Sequence, residues 1–186
     1  METEAKNIDK YLSFNVSKRF DFLYENYSVL KPLIKNYRED IIMDVIDMKA
    51  CKRRESIGEL GVRIQVSIRR GGPTEGQAIT HLTVEKAIEE GFLDESFLED
   101  IEDPDEIIRR ITNYHLVRAD FEVFSSKLET LTLEDQRVIK PYLLKQKSLG
   151  DFANDMGVQY KSAATRIYRI KKKLINQVEP RMQRGA

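Results

Sequence analysis

The chain has 186 residues, 41% hydrophobic and 33% charged, with one cysteine and balanced charge: 31 Lys and Arg against 31 Asp and Glu. That length supports one or two small domains with real cores. No apolar run approaches the roughly 20 residues of a bilayer span. Cys51 alone excludes an internal disulfide and fits a reducing compartment.

METEAKNIDK lacks a signal-peptide pattern, so the expectation is a cytoplasmic protein without a membrane partner. From Leu12 an apolar repeat begins, Leu12, Val16, Phe20, Leu23, Tyr27, Leu30, Ile34, Tyr37 and Ile41, alternating steps of four and three. It fits a homodimer seam, a surface for a larger partner, or an intramolecular helical hairpin. Pro32 predicts a kink or two consecutive helices. Ile41, Ile42, Val45, Ile46 and Met48 continue a helical face.

Lys52, Arg53 and Arg54 then form a basic cluster, and Val62, Ile64, Val66 and Ile68 alternate with polar residues as in a strand. Gly71-Gly72-Pro73 ends it, Thr74 to Gln77 reads as loop, and Ala78 to Val84 is a candidate second strand of a short β-hairpin. This extended basic segment spans about 62–83. Val84 to Gly91 reads as a short helix capped by Gly91. Phe92, Leu93, Phe97, Leu98 and Ile101 continue a helical pattern among acids. Pro104 opens a long helix from Asp105 towards Leu128, with Ile107, Ile108, Ile111, His115 or Leu116, Ala119 and Val123 on its apolar face. The expected division is a helical N-terminal domain, 1–104, and a C-terminal domain, 105–186.

The C-terminal domain carries the informative stretch. Thr132 caps a lead helix whose Leu133, Val138 and Ile139 are expected in the core, and Pro141 should kink or break it. Ser148 and Asp151 approach a capping box. Leu149, Phe152, Ala153 and Met156 share one helical face, Gly157 supplies a left-handed stop, and Val158 can be buried in the turn. The next helix starts near Tyr160 with the stripe Ala163, Ile167, Ile170 and Leu174. Asn176 to Ala186 reads as a polar tail with Pro180.

Opposite that stripe lie Lys161, Thr165, Tyr168 and Lys172, with Ser162 and Arg169 to one side and Arg166 and Lys173 flanking the apolar edge. No acid occurs between Asp155 and Glu179. Uninterrupted positive charge on such a helix suits a major groove walled by phosphates. Ser162, Thr165, Arg166 and Arg169 are candidate base readers, and Lys171, Lys172 and Lys173 candidate phosphate clamps. The neutral total hides this asymmetry, because Glu85 to Glu106 is strongly acidic while the C-terminal end is basic.

The run GV…TRIYRIKKKL, with Lys127 to Ile139 before it, resembles region 4 of sigma-70-family transcription factors, particularly the extracytoplasmic-function branch. In layout the chain is similar to ArpU/RinA-type late-gene activators of phages and mobile elements. The resemblance covers about the last third. It implies a mainly α protein with a C-terminal helix-turn-helix that binds double-stranded DNA at promoters and recruits RNA polymerase. A genuine sigma factor and a terminase small subunit-like DNA-binding protein are the alternatives; an adaptor with no DNA role is a further one. His81 and His115 stand far apart, and no CxxC, HExxH or GxxxxGK[ST] motif occurs, so neither enzyme chemistry nor a cofactor is expected.

Overall fold

The computed structural model describes residues 8–59, 73–91, 95–98 and 101–182. They are mainly α-helical. A single 3-10 turn, Tyr11–Ser13, precedes α1 (Val16–Glu59), α2 (Pro73–Glu90), the short α3 (Glu95–Leu98), α4 (Pro104–Glu129), α5 (Leu133–Leu143), α6 (Leu149–Asp155) and α7 (Tyr160–Met182). Among the described residues, no helix is long and apolar enough to cross a membrane.

Two compact units emerge: one of Met1–Ile34 with His115–Ala186, the other of Lys35–Tyr114. The division therefore falls within α1 and within α4. In the second unit, Tyr37, Ile41, Ile42, Val45, Val84, Ile88, Ile107 and Ile111 are buried. Arg38 pairs with Glu85 and Glu89, and Arg110 with Asp44.

In the first unit, Phe20, Leu23, Leu30 and Ile34 of α1 are buried. Phe20 and Tyr27 both meet the Phe124 ring of α4, at centroid distances of 5.6 and 5.5 Å. The seam is thus filled within one chain. Leu12 is exposed instead, because the 3-10 turn points Tyr11 into the core.

Several expectations change. Pro32 does not divide α1, which runs unbroken from Val16 to Glu59. A proline removes one backbone donor, and here its ring is exposed while Leu30 and Ile34 on either side are buried. Ala78 to Val84 is not a strand, and Thr74 to Gln77 is not a loop: both belong to α2. Pro73 occupies the first helical position, where its fixed φ favours a start. Val84 and Ile88 then turn inward at a spacing of four, while Leu82 is exposed. Gly91 ends this helix at φ 66°, as expected. The alternating run Val62 to Ile68 lies outside the described residues.

On α4 the buried line is Ile107, Ile111, Tyr114, Val117, Asp120, Phe124 and Leu128. Ile108 and Ala119 face outward, and Leu116 and Val123 are only half-buried. The line passes through an aspartate, which an apolar pattern steps around. Downstream, Leu133 is exposed while Val138 and Ile139 are buried. The polar tail after Leu174 is helix as far as Met182, because Val178 and Met182 extend the stripe in steps of four.

Candidate nucleic-acid interface

The interface is assembled by α5, α6 and α7. Thr132 Oγ1 accepts from the Asp135 amide at 3.3 Å and starts α5. Pro141 falls in the last turn of α5, and the helix continues past it to Leu143. Lys145 adopts φ 54°; its amide donates to Tyr142 O and that of Gln146 to Pro141 O, at 3.0 and 2.9 Å. This is a Schellman closure with lysine in the place usually held by glycine.

Ser148 and Asp151 complete a capping box on α6. The Ser148 amide donates to Asp151 Oδ2 at 2.7 Å, and the Asp151 amide to Ser148 Oγ at 3.3 Å. The Ser148 amide and hydroxyl hold the Asp151 carboxyl below its usual range. At the far end Gly157 takes φ 61°, with Gly157 N donating to Asn154 O and Val158 N to Ala153 O, at 3.1 and 3.0 Å. A second Schellman turn therefore sets the angle between α6 and α7. Val158 is part-exposed rather than buried, since this closure leads the chain outward towards α7.

Along α7, Ala163, Ile167, Ile170 and Leu174 are buried as expected. The same period leaves Lys161, Ser162, Thr165, Tyr168, Arg169, Lys172 and Lys173 exposed and Arg166 half-buried. Thr165 Oγ1 donates to Lys161 O at 2.8 Å, so its lone pairs and methyl remain for a ligand.

Three of the nine candidate residues have acidic partners. Lys173 Nζ lies 2.7 Å from Asp135 Oδ2, and an Arg166 terminal nitrogen 3.7 Å from Glu134 Oε2. Lys171 turns from the open face: its Nζ lies 2.7 Å from Asp21 Oδ1 and 4.7 Å from the Tyr24 ring centre. It docks α7 on α1, a role hidden from the sequence because Asp21 is 150 residues away.

An open groove of about 680 Å³ runs along α7, with Asp135 of α5 on its other side. Lys161, Ser162, Thr165, Arg166, Arg169 and Lys173 all line it, so the fold brings together six of the nine candidates. Gln159 lines it too, and sequence periodicity had missed this residue because it precedes α7. Its carbonyl accepts from the Ser162 and Ala163 amides at 2.9 and 3.2 Å, which marks it as the N-cap.

The far end of α7 is fixed differently. An Arg19 terminal nitrogen donates to Met182 O at 3.0 Å and to Asp120 Oδ1 at 3.2 Å. Tyr11 Oη donates to Asp120 Oδ2 at 2.9 Å. Arg19 Nε also lies 2.9 Å from Oδ2, a charge contact whose N–H lacks the alignment of a hydrogen bond. Burial pushes the Asp120 carboxyl up, against the pull of Tyr11 and Arg19.

No protein-family model matches the chain, and neither does any curated protein or solved structure. Among the described residues, no group of three or more His, Cys, Asp or Glu side chains is placed to hold a metal ion.

Proposed function

We propose that the chain is a sequence-specific, double-stranded DNA-binding regulator that acts at promoters by recruiting RNA polymerase. The observation that carries this reading is the helix pair α6–α7, joined through the turn at Gly157, with an α7 that carries no acid before Glu179 and whose polar face is open to solvent. Such a helix enters a major groove with its early residues near base edges and its cations near phosphates. The resemblance to sigma region 4 and to late-gene activators favours a promoter target. The aromatic residues early in α1 favour a regulator over a sigma factor that melts DNA itself: Phe20 and Tyr27 are spent on core ring contacts.

Duplexes selected from a random library test this reading, followed by fluorescence anisotropy at several salt concentrations. Lys161, Arg166, Arg169, Lys172 and Lys173 give an expected slope of log K against log salt of about −4.5. Absence of salt-dependent duplex binding defeats the proposal. With a bound promoter in hand, the chain should raise transcription by a complete polymerase and give none with core enzyme alone.

A further inference from the structure

The basic residues of α7 do not all face the same way. At about 100° per residue, Arg166, Arg169 and Lys173 fall within roughly 60° of one another on the side towards α5. Thr165 stands on the outer side of that arc. The three cations line the α5 side of the groove, next to buried Ile170 and facing Asp135, while Gln159, Lys161 and Thr165 line its N-terminal and outer side. A base edge is met by a side chain that projects into the major groove, whereas a phosphate strand can lie in a trough.

The chain's own anions mark where phosphates belong. The Glu134 carboxylate sits against Arg166 and the Asp135 carboxylate against Lys173. Glu134 is 85% exposed and its contact is loose, so it yields at little cost. Asp135 is nearly buried and stays, taking one of the three donors of Lys173.

We propose that the trough between α5 and α7 seats one sugar-phosphate strand of the duplex. Arg166, Arg169 and Lys173 hold phosphates, and sequence is read from the N-terminal tip of α7 by Gln159, Lys161 and Thr165. This rests on the DNA-binding reading above and alters its division of labour, since Arg166 and Arg169 move from bases to backbone. A Gln159 carboxamide suits the N6/N7 edge of adenine, and the free methyl of Thr165 suits a thymine methyl.

Selection from a random duplex library, repeated with variants, decides the matter. Arg166→Ala and Lys173→Ala should each weaken all duplexes alike, by about 10-fold. Each should lower the salt slope by about 1 and leave the selected sequence unchanged. Arg166→Lys, which keeps the charge but not the fork, should retain the sequence and most of the affinity. Glu134→Gln should tighten binding about 2-fold by removing a competitor for Arg166. Gln159→Ala should keep the slope and erase one base preference. A changed base preference in either Arg166 variant overturns the trough assignment while leaving DNA binding intact. A wild-type protein that selects no duplex overturns the functional reading itself.

Discussion

The open face and the C-terminal end of α7 meet charged partners in opposite ways. Along the open face, Arg166 and Lys173 pair with Glu134 and Asp135 at the rim of an open groove, where water or a phosphate can replace the exposed Glu134 carboxylate. At the C-terminal end, Arg19 of α1 and Asp120 of α4 are each only 6% exposed and are joined by Tyr11 and the carbonyl of Met182. The first kind of pair contributes little to stability and can be exchanged. The second contributes orientation, because breaking it strands a charge in the core. A recognition surface is precise only when the element bearing it is held rigidly from behind. Here the hold is a cation at the helix C-terminus, where the backbone carbonyls lack partners.

The contrast is broken most severely at Asp120. Asp120→Ala should cost roughly 3–5 kcal/mol in chemical denaturation, because Arg19 keeps its burial and loses its counter-charge. Replacing both, as Arg19→Met with Asp120→Leu, should be nearly neutral by the same argument. A loss below about 1 kcal/mol in the single variant would place this pair in the same class as the rim pairs. Its pH signature is also distinct. The folded carboxyl titrates above its ordinary 3.8, so the folded state binds this proton first. Its contribution to stability is therefore greatest in acid and falls as pH rises from 3.8 through the folded value. Asp120→Asn should remove that slope from a series of unfolding curves.

This network explains why the open face of α7 was legible in the sequence and the anchoring of its C-terminal end was not. Ser148, Gly157 and the stripe from Ala163 to Leu174 are local signals, each tied to neighbours three to five residues away. Helix boundaries and the exposed cationic face follow from them. Arg19, Asp120 and Tyr11 meet across 101 and 109 residues, and their polarity interrupts the apolar periods that mark core positions. Lys171 was hidden for the same reason, since nothing near it in sequence announces Asp21. Ala78 to Val84 shows a different failure: a short apolar run has no decisive period, and Pro73 at the helix start outweighed it.

The turns around α6 sharpen the comparison at intermediate cost. Both close in the Schellman manner, one through Gly157 and the other through Lys145. A Cβ on Gly157 meets nothing within 4 Å, so only its backbone conformation resists substitution. Gly157→Ala should lose about 1–2 kcal/mol. Lys145→Gly should gain about 0.5–1 kcal/mol by relieving the same strain. Thermal unfolding of the two variants reads both signs; equal signs would mean that φ is not what distinguishes the turns.

The smallest effect separates two adjacent lysines. Lys172 is exposed on the open face, whereas Lys171 is committed to Asp21 and the Tyr24 ring. Lys171→Met keeps the stem packed and removes the charge, so it should cost less than about 1 kcal/mol of stability. In DNA titrations it should leave the salt slope where it was, while Lys172→Ala should lower the slope by about 1. An equal drop in both would show that Lys171 leaves α1 when a duplex arrives. The docking contact would then be a switch between Asp21 and phosphate, and Lys171 would join the exchangeable cations of the open face.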